Sequence, residues 1–161
     1  MVVDRASAED PGMAAKLATA RFIYLSGGSP LHLRAVLKKS AVFEALLRAF
    51  AAGAVVAGAG AGAMVLTDPM ADPRGGALTL GLGLVDTFTV VPHFGNEHDD
   101  AHGQKLERTV AMAPAALPVV ALPARTALIR DGQGAWHPEG VGTPTVFVGG
   151  VQSEGLGALG G

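Results

Sequence analysis

Apolar residues recur at helical spacing over Ser40–Ala52, where Val42, Phe43, Leu46, Leu47 and Phe50 share one stripe and Gly53 follows as a stop. That pattern predicts an amphipathic helix packed on a core. An earlier helix is predicted over Ser7–Ala20, with Glu9 and Asp10 in its first turn, Pro11 early, and Ala, Lys and Leu afterwards. Between the two, RFIYLSGG (21–28) is a β-branched and aromatic run halted by a glycine pair, the form of a buried strand ending in a tight loop. Ser29 can cap the helix that follows. Ala54–Ala57 then reads as a short apolar strand, and GAGAGA (58–63) turns it into Met64, Val65 and Leu66. Strand, sharp turn and helix in that order, after earlier alternation, predict an α/β fold with a largely parallel sheet flanked by helices.

From Ala77 the pattern changes to short strands: 77–84, 88–94, 117–122 and 126–130, interrupted by one helix near 103–113. Residues 131–150 read as a turn-rich hairpin at a sheet edge, since Pro138 and Pro144 cannot donate to a central ladder. Residues 1–150 are thus expected to form one α/β domain, with 151–161 a flexible tail.

Composition narrows the function classes. The chain of 161 residues is long enough for one domain with a core, and 49% apolar against 16% charged residues excludes a disordered chain. A net charge of −2 offers no basic field, so nucleic acid is not an expected partner. The absence of cysteine removes disulfides, thiolate metal sites and cysteine nucleophiles from the inventory. Asp4, Arg5, Glu9 and Asp10 stand where a secretory signal needs an apolar core, so a cytoplasmic home is expected. Residues 49–66 are uncharged, yet Gly53, Gly58, Gly60 and Gly62 interrupt them, which argues against a membrane span.

Two features carry candidate chemistry. Gly58, Gly60 and Ala63 fit the looser form of a phosphate-cradling G-x-G-x-x-G/A turn for a dinucleotide or phosphate, but Asp68 and Asp72 are too near and Asp86 too far to supply the ribose-binding acid. Gly58-Ala59-Gly60-Ala61-Gly62 fits the frame of a nucleophile elbow, with glycine at its centre in place of serine. In HFGNEHDDAH (93–102), His98 and His102 stand four apart, a helical spacing that suits Zn²⁺ or Ni²⁺ with a nearby carboxylate. The alternative is an exposed helix start, where Asp99 and Asp100 complement the dipole and no cofactor is bound.

The ordered series IYLSGGSP, VVAGAGAGAMVL, LGLGL, VVPHF and LPARTALI resembles the dipeptidase E and cyanophycinase family of serine peptidases, over about Val2 to Val148. The resemblance implies the class I glutamine amidotransferase-like fold, a flavodoxin-like three-layer arrangement. It also implies an elbow similar to G-[ST]-S-A-G-A, so that Gly58, Ala61, Gly62 and Ala63 match while Gly60 occupies the serine position. By the same resemblance His93 is the catalytic histidine, Ala124 stands at the acidic position, and Gly27 and Gly28 line the oxyanion hole with Ala61. The implied protein is a catalytically impaired relative of dipeptidases that act on acidic peptides, a binding or assembly protein. A weak or metal-assisted hydrolase using His93 is the enzyme alternative. Family members carry two further βα units before the part matching Met1–Gly28, so exposed apolar sheet, and with it a homo-oligomer or a docked peptide, is expected unless the natural start lies upstream.

Overall fold

The computed structural model describes residues 1–94 and 100–160. The chain packs as two compact units, Met1–Val65 and Leu66–Gly161.

In the first unit the expected N-terminal helix is two. α1 (Arg5–Ala8) is capped by Asp4, whose side chain accepts from Ser7 N, and α2 (Pro11–Ala18) restarts at Asp10, whose carboxylate accepts from Met13 N at 2.7 Å. Pro11 cannot donate a backbone bond, so the chain re-nucleates there. Glu9, between the helices, pairs with Arg5 and accepts from Ala41 N at 3.1 Å. The Arg5 guanidinium in turn donates to the carbonyls of Val36, Lys38 and Lys39, satisfying the open end of α3 (Pro30–Leu37).

β1 (Phe22–Leu25) lies parallel to β2 (Val55–Gly58), in register from Phe22↔Val55 to Leu25↔Gly58. α4 (Ala41–Ala51) starts on Ser40, a buried cap that accepts from Phe43 N at 3.1 Å. It packs against α2 and buries Val42, Phe43, Ala45, Leu46 and Ala49. Two expectations need correction. Leu47 is only half-buried and Phe50 is 45% exposed, because the buried stripe runs through Ala45 and Ala49 instead. β1 is covered on one face alone: Ile23 and Leu25 are buried, while Phe22 and Tyr24 are 62% and 57% exposed.

In the second unit, β5 (Thr89–Phe94) and β6 (Val119–Pro123) are parallel, and α6 (Asp100–Met112) lies between them in sequence. β9 (Thr145–Val148) pairs antiparallel with β6, and β10 (Val151–Ser153) pairs antiparallel with β9. Buried Thr89–Pro92 and Val119–Ala121 form the heart of this sheet. The strand expected over 77–84 shrinks to β4 (Leu78–Thr79), paired with β3 (Met70–Ala71), and Gly83 at φ +79° leaves extended geometry. The expected hairpin over 131–150 is also redrawn. β7 (Thr126–Arg130) pairs with β8 (Trp136–Gly140), around a loop in which the Asp131 carboxylate accepts from Gln133 N and Ala135 N, and β9 leaves to join β6. The segment expected to be a flexible tail supplies β10 and ends in a short 3₁₀ turn with Leu159 fully buried.

The fold class is mixed α/β as expected. Among the named strands the parallel pairings are β1–β2 and β5–β6 and the others are antiparallel, with an isolated parallel bridge between Thr67 and Val85, so less of the sheet is parallel than the alternation predicts. The apolar stretch 49–66 is divided among α4, β2 and the next helix, and no described helix is long and apolar enough to cross a membrane.

Candidate functional site

The glycine turn sits where β2 ends at Gly58 and α5 (Ala61–Leu66) begins. A Cβ on Gly58 would lie 2.5 Å from the carbonyl carbon and oxygen of Gly62, and a Cβ on Gly62 would lie 2.1 Å from the carbonyl oxygen of Leu25. Both glycines are therefore demanded by the chain's own close approach. Gly60, at the apex, has φ +55°, a left-handed conformation that costs an L-residue about 1 to 2 kcal/mol. Ala59 N donates to Leu25 O at 3.1 Å and Met64 N to Gly60 O at 3.1 Å, which fixes the turn against the end of β1. Ala61 is buried directly behind the apex.

Gly27 and Gly28 follow β1 at the same end of this two-stranded sheet, since Leu25 is in register with Gly58. Gly28 has φ +114°, and nothing lies within 4 Å of a Cβ placed on Gly27. The turn and the glycine pair thus sit side by side beyond the carboxyl ends of neighbouring parallel strands, the place where open α/β sheets take ligands. A cleft of about 630 Å³ in this unit is lined by Ser26–Ser29, by β1 and by Met1–Val3.

In the second unit, His93 stands at the end of β5, in a bulge. Pro92 pairs with Leu122 and Phe94 with Pro123, so His93 is the extra residue at the register shift, exposed, at φ +66°. Bulges that re-aim one side chain and left-handed non-glycine residues both concentrate at functional sites. Ala124 follows Pro123 at the same end of the adjacent strand, so the structure brings the two positions together. The Ala124 methyl offers no acceptor, and its carbonyl accepts from the Thr126 hydroxyl at 3.3 Å. His98 lies outside the described residues, as does the side chain of His102; among the described residues no three His, Asp or Glu gather as a metal set.

Sequence reasoning missed the bulge at His93, because nothing in VVPHF encodes a register shift that depends on β6. It also missed a loop clamp. Asp72, 8% exposed, receives Arg74 Nη2 at 2.6 Å, Nε at 3.0 Å and the Arg74 backbone N at 2.8 Å. These bonds hold its carboxyl below the usual carboxylate range despite burial.

Comparison with known proteins bears on the family and the fold. The model for Peptidase family S51 matches residues 2–137. A crystal structure of a peptidase from an acI-B1 Actinobacterium superimposes with a TM-score of 0.78 at 24% identity, covering 94% of this chain and 63% of that one. The structure titled "Putative Peptidase E Protein from Listeria monocytogenes EGD-e" gives 0.63 at 21% identity, covering 81% of this chain and 65% of the other. At these identities the likeness speaks for the fold, which is that of peptidase E-type, flavodoxin-like proteins. The chain spans somewhat less than two-thirds of either relative. No curated protein matches it.

Proposed function

The chain belongs to peptidase family S51, and from that premise we propose that it is a catalytically impaired member that binds polypeptide without cleaving it. The observation that carries this reading is Gly60 at the apex of an otherwise complete elbow, with φ +55° between two sterically required glycines. The turn keeps the conformation that would present a nucleophile, and glycine has none to present. Acyl transfer needs an oxygen or sulfur to attack the carbonyl and a base to take its proton. Without the first, His93 has no proton to remove, and Ala124 beside it cannot orient or stabilise an imidazolium. Oxyanion donors at Gly28 and Ala61 would leave a residual about 10³ to 10⁴ over water, too little to detect on peptide bonds.

The enzyme alternative rests on His93, whose strained backbone at a bulge is the kind of feature retained where a side chain must be aimed. In that reading His93 activates water, alone or beside a metal. The phosphate or dinucleotide alternative is weaker: packing against Gly62 and Leu25 already accounts for Gly58 and Gly62, and α5 is only six residues long. Assembly with further copies is another way to use the exposed apolar residues of β1, and sedimentation across a dilution series reads it directly. An assay on aspartyl dipeptides, with and without added Zn²⁺, separates the first two readings. The binding protein gives buffer-level turnover in both, and turnover lost on His93→Ala would establish the hydrolase instead.

A further inference from the structure

Asp131 and Gly132 form the one Asp-Gly pair in the sequence, and both are exposed in the loop that joins β7 to β8. Asp-Gly is the pairing most open to attack by the backbone on a side chain, because glycine sets no Cβ beside the attacking nitrogen. The folded loop holds the two groups apart. Asp131 Oδ1 accepts from Gln133 N at 2.8 Å and from Ala135 N at 2.9 Å, two and four residues on, whereas ring closure needs the carboxyl turned onto the Gly132 nitrogen. Asp131 N donates to Ala135 O at 2.9 Å and Gly134 N to Asp131 O at 3.1 Å, so the same residue ties both ends of the loop. The amides of Gln133 and Ala135 also hold its carboxyl below the usual carboxylate range, which favours the anion, the poorer electrophile.

We propose that Asp131 is a site of isoaspartate formation, kept closed by the β7–β8 turn in the folded chain, and that the turn does not re-form once the residue has converted. In the reaction Gly132 N attacks Cγ of the protonated carboxyl; a C–N bond forms, the C–OH bond breaks, and the amide proton and hydroxyl leave as water. Water then opens the succinimide. Addition at the main-chain carbonyl breaks that carbonyl's bond to nitrogen and leaves Gly132 joined through the side-chain carbon, with no net change of mass. The main chain gains a methylene and the free carboxylate moves back to Cα, so the reach that carried it to Gln133 N and Ala135 N is lost. Arg130↔Trp136 is the strand pair next to the loop, and the Trp136 ring stands edge-on to Phe88 at 5.0 Å. Opening the turn therefore frees the chain's one tryptophan from Phe88.

The full chain is incubated at mildly acidic pH, folded or in guanidinium chloride, and isoaspartate is read by electron-transfer fragmentation of the chymotryptic peptide that holds Asp131. Conversion should be at least about tenfold slower in the folded chain, since it waits on local opening. Converted protein returned to buffer should show shifted Trp136 emission. Gly132→Ala, placed where nothing lies within 4 Å of an added Cβ and φ is not left-handed, should fold as wild type and lose most conversion in guanidinium. Gln133→Pro removes one donor and leaves the Asp-Gly pair, and should speed conversion in the folded state. Should that variant not fold, wild type supplies the test: below the unfolding transition, conversion follows the exchange rate of the Gln133 amide. Equal rates in folded and unfolded chain, no isoaspartate at Asp131 in guanidinium, conversion undiminished by Gly132→Ala, or unchanged Trp136 emission after conversion would overturn the proposal.

Discussion

Gly60 shows what a single residue can decide. At φ +55° it adopts without strain a conformation that a side chain would resist, and under the proposed correspondence it stands where an elbow would present its nucleophile. Gly60→Ser should therefore lower stability by about 1 to 2 kcal/mol in urea melts, partly offset by the reduced freedom of the unfolded chain. A neutral or stabilising effect would mean that the turn is no elbow. Asp72 makes a second residue-scale prediction. Arg74 holds its carboxyl below the usual range, so the stabilisation is fully present above the unfolded-state value of about 3.9 and is lost as pH falls through the lower folded value. Wild type should be more stable than Asp72→Asn by a constant margin at neutral pH, and the margin should close below about pH 4. A margin that stays unchanged down to pH 2 would show that the Arg74 clamp does not act through charge.

At the scale of elements, the junction of β1, β2 and α5 depends on close approach more than on any side chain. A methyl on Gly62 would press into the Leu25 carbonyl, whereas one on Gly27 meets nothing within 4 Å. Gly62→Ala should cost at least about 2 kcal/mol by forcing strand and helix apart, and Gly27→Ala should stay within about 0.5 kcal/mol. Comparable costs for the two would show that the junction yields. These elements were legible in part. The helix α4 and the strand-turn-helix at GAGAGA follow from local spacing and turn chemistry and appear where expected, although the buried stripe of α4 is shifted onto Ala45 and Ala49. The division of the first helix at Asp10–Pro11 was encoded too, in an acid that caps and an imide that cannot donate. The one-sided burial of β1 was not, because FIYL carries no polar alternation to reveal that one face lacks a cover.

For the molecule as a whole, membership of peptidase family S51 and a peptidase E-like fold are shown, and the proposed impairment rests on reading Gly60 and Ala124 as the nucleophile and acid positions. A fluorophosphonate probe should leave every serine unlabelled at stoichiometric protein, as read by intact mass; one equivalent of label would refute the impaired reading. The sequence by itself determined the α/β character, the glycine turn and the identities at 60, 93 and 124, because periodicity, turn residues and side-chain inventory are local properties. Tertiary structure alone decided the partners of each strand. β9 pairs with β6 although it follows β8, Leu159 is buried in a segment that reads as a loose tail, and His93 is turned out by a bulge defined only against β6. The physical reason is that register, edge exposure and burial are relations between segments far apart in sequence, and a local pattern fixes which face of a strand is apolar but not what comes to lie against it.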